Sequence, residues 1–271
     1  MKRSQRIAAM THYFKENPRI LVSLPFFVKT YEAAKSSISE DIDIIDDMFR
    51  QLGIGRIETV SGYSGGVKYV PDYPLEASQN FIDELIELLK DPTRILPGGY
   101  LYMSDLLGHN YYVRRIGKIF GSAFQHIEAD YVVTVATKGI PIAYAVAEAL
   151  NLPVVIIRRD PIVTEGSTIS INYVSGSSRK IQSMALAKRH ITPGSNVILV
   201  DDFMKAGGTI KGMESLMAEF DAHVKGIGVL AEAEDEDEER RVMNYTSLLK
   251  IHDVNEKTQD VKVMRGNYFD S

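Results

Sequence analysis

The chain has no cysteine at all. That excludes disulfides and thiolate metal sites, and it fits a reducing cytoplasm. No apolar run approaches the ~20 residues needed to cross a bilayer. The N-terminus, MKRSQRIAAM, is basic but lacks the apolar segment of a secretory signal. A cytoplasmic protein with no membrane partner is therefore expected. The six histidines (His12, His109, His126, His190, His223 and His252) show no metal-ligand spacing, and there is no Walker A pattern. No internal repeat is visible. Gly62-Tyr63-Ser64-Gly65-Gly66 fits the letters of a nucleophile elbow. It lacks the buried strand before and the helix after that an elbow requires, so a turn is expected.

The chain does have an ordinary globular make-up, with 45% hydrophobic and 25% charged residues. The net charge of −5 argues weakly against nucleic acid, but the distribution is uneven. Through Lys35 there are seven basic residues (Lys2, Arg3, Arg6, Lys15, Arg19, Lys29, Lys35) against two acids, Glu16 and Glu32. Between Glu232 and Glu239, seven of eight positions are acidic, which reads as a solvated helix face. A basic N-terminal surface on an acidic body is the expectation.

Two regimes meet near VPDYP at 70–74. Before it, Ile7, Met10 and Phe14 share one face of a helix ended by Pro18, and a short helix follows over 25–34. A longer helix begins at Ser36 or Ser37, with Ile38, Ile42, Ile45, Phe49 and Leu52 as its buried stripe. Ser37 and Glu40 read as a capping box and Gly53 as the stop. IGRIETVSGYSGGVKYV then reads as a β-hairpin. Three helices and a hairpin are the order of a winged helix-turn-helix, assigned to 1–73. Residues 74–271 read as an α/β domain with a mainly parallel sheet. Helices are expected at 75–90, 111–128, 140–150, about 180–190 and 209–220. Strands are expected at 131–136, 153–158, 168–174, 197–200, 224–231, 247–252 and 260–265.

The densest chemistry lies in VILVDDFMKAGGT, 197–209. An apolar strand ends in Asp201 and Asp202, at the edge where open α/β sheets bind ligands. Lys205, Ala206, Gly207, Gly208 and Thr209 then turn into a helix, so backbone N–H groups, a hydroxyl and a cation converge on an anion. Carboxylates repel phosphate but accept from vicinal sugar hydroxyls, directly or through Mg²⁺. The ligand implied is a phosphorylated ribose.

This segment resembles the binding motif of the type I phosphoribosyltransferases for 5-phosphoribosyl 1-pyrophosphate (PRPP). The resemblance implies that Asp201 and Asp202 contact the ribose hydroxyls while 205–209 hold the 5′-phosphate. It makes Thr137-Lys138-Gly139 the pyrophosphate loop. It also places a mobile lid in the polar stretch 160–183, which carries Glu165, Tyr173, Ser175, Gly176, Ser177, Ser178, Arg179 and Lys180. Ala206 stands where many of the enzymes have threonine, and Lys205 before it is unusual. No segment is assigned to a base-binding hood, for which 95–112 is the candidate.

In a helix-turn-helix the groove-entering helix presents its first turn to DNA. Lys35, Ser36, Ser37 and Ser39 hold that position, while Asp41, Asp43, Asp46 and Asp47 should face away from phosphates. Arg56 and Lys68 flank the hairpin, and 63–66 would be its tip, a wing for backbone or minor-groove contact. A winged helix joined to a phosphoribosyltransferase-like domain resembles the purine operon regulators of Gram-positive bacteria. The resemblance runs through AAKSSISEDI, ILPGGY, TVATKGIP, TEGSTISINYVSGSS and VDDFMKAGGT. It implies a homodimeric transcription regulator that binds double-stranded DNA upstream of purine genes and has PRPP as effector; with Lys205 and Ala206 in the phosphate loop, no transferase activity is expected. It also places Tyr100 near the ligand. The alternative is an active purine phosphoribosyltransferase with an N-terminal accessory module.

Overall fold

The computed structural model describes residues 1–159, 166–174, 181–233 and 241–270. The chain divides into two compact units. One comprises residues 1–75 with 149–151, the other 76–148 with 152–271.

The first unit runs α1 (Arg3–Glu16), α2 (Leu24–Tyr31), α3 (Lys35–Gln51), β1 (Gly55–Val60) and β2 (Gly66–Pro71). This is the expected winged-helix order. Met10, Phe14, Phe27, Ile38, Ile42, Ile45 and Phe49 are buried together with Val67 and Tyr69 of the hairpin. The α3 stripe is thus as periodicity predicts, except that Leu52 caps the helix and lies exposed. Gly53 adopts a left-handed φ of 60°, and a Cβ there would meet Pro74 Cγ at 2.6 Å. The hairpin pairs Gly55 with Pro71 through Val60 with Gly66, leaving 61–65 as the turn.

One detail of α3 differs from expectation, and a second is not visible in the sequence. Its N-cap is Ala34 with no side-chain cap, and the Glu40 carboxylate goes to Arg3, so Ser37 and Glu40 form no capping box. The aspartates on its later face are not all solvated. Asp41 is buried and paired with Arg6 and Arg3. Asp46 accepts the Ile57 N–H at 2.6 Å and pairs with Arg50. Part of the supposed basic N-terminal surface is consequently consumed internally.

The second unit begins with α4 (Leu75–Leu89), a small pair β3 (Ile95–Leu96) and β4 (Tyr100–Leu101), α5 (Ser104–Gly108) and α6 (Asn110–Ala123). There follow β5 (Tyr131–Val135), α7 (Gly139–Leu150), β6 (Val154–Ile157), β7 (Thr168–Val174), β8 (Ile181–Ala187), β9 (Asn196–Met204), α8 (Gly208–Glu219), β10 (His223–Ala233), β11 (Thr246–Asn255) and β12 (Asp260–Arg265). Six strands form one sheet in the order β12-β11-β10-β9-β5-β6, all parallel except β12. From β5 the chain moves outward to β6; from β9 it moves outward the other way to β10. The β5/β9 junction is therefore the switch point of the sheet, where such folds bind ligands.

The helix expected at 180–190 is instead β8, which pairs with β7 from Thr168–Ala187 to Val174–Ile181. Met184 to Ala187 is a short apolar run that suits either state, and cross-strand pairing decides it. The acidic run is likewise not a helix face at its start. Glu232 lies buried in β10, where Tyr245 and Ser247 hydroxyls donate to its carboxylate at 2.6 Å each. Its continuation, 234–239, and the lid residues Glu165 and Ser175 to Lys180 fall outside the described residues. No described helix is long and apolar enough to cross a membrane.

Candidate functional site

At the switch point lies a cavity of about 780 Å³. The loop after β5 delivers Thr137 and Lys138 to it, β9 delivers Asp201 and Asp202, and Lys205 follows just past the end of β9. β9 runs longer than the strand expected from its apolar core. It stays paired with β10 as far as Met204, while its pairing with β5 stops at Leu199. The two carboxylates therefore sit on a strand held on one side and released on the other.

Asp201 is buried, with Asp202 partly exposed beside it. Burial pushes the Asp201 carboxyl well above the usual carboxylate range, and the neighbouring Asp202 charge adds to this. The Asp202 N–H donates to Asp201 Oδ1 at 2.9 Å and opposes the rise, as does the charge of Arg159.

Past β9, Gly207 is the N-cap of α8 with φ 82°, a left-handed conformation that favours glycine. The first N–H groups of a helix have no intrahelical partner, so this turn presents donors to an anion. Thr209 and Lys205 line the main cavity, and Gly207 and Gly208 line a small recess of about 50 Å³ beside it. Ala206 is buried, and its carbonyl accepts the Arg241 N–H.

On the other loop the Ala136–Thr137 peptide is cis, and Gly139 opens α7. A Cβ on Gly139 would stand 2.2 Å from Thr134 Oγ1 and 3.2 Å from Asp201 Oδ1, so the strand end closes tightly on this glycine. Tyr100 also lines the cavity, carried by β4 after Gly98 and Gly99, which have φ of 89° and 71°. Seven of the expected ligand residues thus surround one cavity: Tyr100, Thr137, Lys138, Asp201, Asp202, Lys205 and Thr209. Gly139 and Ala206 to Gly208 form the backbone behind them. Arg159 was missed, because it follows β6 in a stretch with no motif of its own. His252 and Val254 were missed too, since β11 looks like an ordinary sheet strand.

In the first unit, Lys35 and Ser36 are exposed and Ser37 and Ser39 half-buried on the first turn of α3. That turn carries no acid, so its N–H groups and Lys35 leave it positive. Arg56 and Lys68 both contact Glu58, at 2.6 and 3.1 Å. Burial pushes the Glu58 carboxyl up, but the hydrogen bonds from Lys68 and Arg56 outweigh it and hold the group below its ordinary value. Arg19, which belongs to no sequence motif, feels the charges of both Glu58 and Arg56. Tyr63 stands fully exposed at the hairpin tip.

Residues 2–71 match the family described as bacterial purine repressor, N-terminal, and residues 104–264 match the phosphoribosyl transferase domain family. The purine biosynthesis transcriptional repressor PurR of Bacillus subtilis (strain 168) is 53% identical over 267 residues, 98% of this chain and 93% of that protein. The purine biosynthesis transcriptional activator PurR of Lactococcus lactis subsp. lactis (strain IL1403) is 45% identical over 269 residues, 99% of each chain. Among solved structures, adenine phosphoribosyltransferase from Thermoanaerobacter pseudethanolicus superposes with a TM-score of 0.52 at 20% identity, over 62% of this chain and 98% of that one. This last likeness concerns the fold alone. With both halves matched in order and full-length identity above half, the chain belongs to the PurR family of purine-biosynthesis transcription regulators.

Proposed function

We propose that this chain is a DNA-binding regulator of purine biosynthesis genes that uses PRPP as its effector and works as a homodimer on double-stranded DNA upstream of those genes. The observation that carries the effector assignment is the convergence of Asp201, Asp202, Thr209 at the start of α8, and Thr137 with Lys138 on one cavity, with Gly207 and Gly208 in the recess beside it. Carboxylates meet the ribose hydroxyls, and the two N–H-rich loops take the 5′-phosphate and the pyrophosphate. Among the described residues no cluster of three or more histidines or acids could hold a resident metal. The adjacent carboxylates instead suit a Mg²⁺ that arrives on the diphosphate.

Transferase activity is not part of this reading. Ala206 puts a methyl where many of the enzymes have a threonine hydroxyl, and the winged helix has no task in base transfer. Repression or activation follows from where the DNA site lies relative to the promoter, and relatives of both kinds are known. The effect of PRPP on DNA affinity is bounded by its differential affinity for the free and DNA-bound forms.

The test is a DNA-shift titration on purine-gene upstream fragments, with and without PRPP and Mg²⁺. PRPP is expected to change the midpoint in the parent and not in Asp201→Ala or Asp202→Ala, whose DNA binding persists. Conversion of PRPP and a purine base to nucleotide at an enzyme-like rate would defeat the regulator-only reading.

A further inference from the structure

The connection from β10 to β11 returns over the anion-binding turn. Its stretch 241–245 begins against the Ala206–Gly207 peptide, where the Arg241 N–H donates to the Ala206 carbonyl at 3.0 Å. That peptide is trans, so its C=O and N–H point in opposite directions. The Gly207 N–H is therefore aimed away from the connection. Val242 is buried in the core cluster that holds Met204, Ile210 and Met213, and a Cβ on Gly207 would stand 3.1 Å from Val242 Cγ2. One residue thus holds the carbonyl, and the next fills the space behind the glycine. The far end of the stretch is pinned in turn. The Tyr245 phenol donates to Glu232 Oε2 at 2.6 Å, and Asn267 Nδ2 donates to the Tyr245 carbonyl at 2.9 Å. Glu232 is a buried carboxylate near the end of β10, and such a group is costly unless hydrogen-bonded. Its need for the phenol fixes where Tyr245 can lie.

We propose that 241–245 is a brace that sets the Ala206–Gly207 peptide for anion binding, with Arg241 acting through its main-chain N–H. Val242 and Tyr245 are positioning residues in this scheme: neither need touch the ligand to affect its binding. Gly207, Gly208 and Thr209 line the recess beside the main cavity. A peptide free to rotate there would turn an acceptor carbonyl toward the anion, where binding needs converging N–H groups. The brace excludes that orientation. The inference rests on the PRPP reading for the identity of the anion, but the bracing itself does not.

The full chain is titrated calorimetrically with PRPP and Mg²⁺, with ribose 5-phosphate, and with pyrophosphate, which on the PRPP reading reports the Thr137–Gly139 loop instead. Arg241→Pro removes the N–H, whereas Arg241→Ala removes the side chain and keeps it. Arg241→Pro is expected to weaken ribose 5-phosphate and PRPP about two- to tenfold, the equivalent of one neutral hydrogen bond. Its pyrophosphate affinity stays at the parent value, and Arg241→Ala binds all three like the parent. Val242→Ala and Tyr245→Phe leave the main chain intact and keep the test open if Arg241→Pro does not fold. Each is expected to weaken ribose 5-phosphate several-fold and pyrophosphate not at all. A purely structural role would lower the affinity for both ligands together. Ribose 5-phosphate bound equally by the parent, Val242→Ala and Tyr245→Phe overturns the brace, as do equal losses in Arg241→Pro and Arg241→Ala or equal losses for ribose 5-phosphate and pyrophosphate. The two readings fail separately. Ribose 5-phosphate weakened as expected, while PRPP binds neither parent nor variant, sinks the PRPP assignment and supports the brace. PRPP bound alike by all of them keeps the assignment and sinks the brace, and a parent that binds none of the three sinks both.

Discussion

Arg6 of α1 and Asp41 of α3 form a buried ion pair that crosses from one helix of the winged-helix unit to the other, with Arg3 donating to the second oxygen of the same carboxylate at 2.9 Å. The Asp41 side chain is wholly inaccessible and that of Arg6 nearly so. Removing one member of such a pair strands the other without water, and typically costs about 3–5 kcal/mol. Asp41→Asn is accordingly expected to accelerate hydrogen exchange across 3–16 and 35–51 and to lower DNA affinity, without changing exchange in the sheet of the second unit. Replacing both, as Arg6→Met with Asp41→Leu, should cost far less. Equal losses in the single and double variants would show that the pair is not what joins the helices.

At the other site, Gly139 stands where no side chain fits. Overpacking of this kind typically costs about 1–3 kcal/mol, so Gly139→Ala should weaken PRPP binding by roughly tenfold. The nearest obstacle, Thr134 Oγ1, is buried with no hydrogen-bond partner among the described residues, so its removal sacrifices none of their bonds. Thr134→Ala is therefore expected to restore much of the affinity in the double variant. Calorimetric titration of the three variants decides it, and a double variant no better than Gly139→Ala counts against this steric account.

How much of the molecule is legible in its sequence depends on the range of each interaction. VILVDDFMKAGGT is legible because strand, carboxylates, glycine turn and helix start are contiguous, and each residue type answers a local need. The α3 stripe is legible for the same reason. The burial of Asp41 is not legible, because its partners, Arg6 and Arg3, lie 35 and 38 positions away. The Asp46 bond to Ile57 N and the burial of Glu232 are hidden likewise. β8 reads as helix because an alanine-rich apolar run has no period of its own until β7 lies beside it. Arg159, His252 and Val254 reach the cavity only through the order in which strands enter the sheet.

The raised Asp201 carboxyl should make PRPP binding depend on pH. Its folded pKa lies above the unfolded value, so its contribution to stability is present at low pH and lost as pH rises through the folded pKa. Ligand binding should run the other way. Ribose hydroxyls need an acceptor, so PRPP affinity is expected to rise as Asp201 ionises, by at most about tenfold per pH unit for one linked proton. Asp202→Asn removes the neighbouring charge and should move this rise to lower pH. Comparing the two affinity–pH curves cancels the titration of PRPP itself, and coincident midpoints would refute the coupling.

Glu58 is expected to limit how much of the wing's positive charge DNA can use. Arg56 and Lys68 both contact its carboxylate, and the pairs are partly exposed, so water and salt already weaken them. Glu58→Gln removes a charge that repels phosphate and weakens the hold on both cations. DNA affinity measured by anisotropy at fixed salt should rise several-fold, for purine-gene fragments and unrelated DNA alike, because phosphate contacts carry no sequence information. The slope of log affinity against log salt should steepen, by about 0.9 for each additional phosphate neutralised. Arg56→Ala and Lys68→Ala should each flatten it, and in a Glu58→Gln background each should lose more than in the parent. Lys35→Ala on α3 should flatten the slope equally in both backgrounds, since Lys35 is not held by Glu58. A salt slope unmoved by Glu58→Gln would mean that these two cations face away from the DNA.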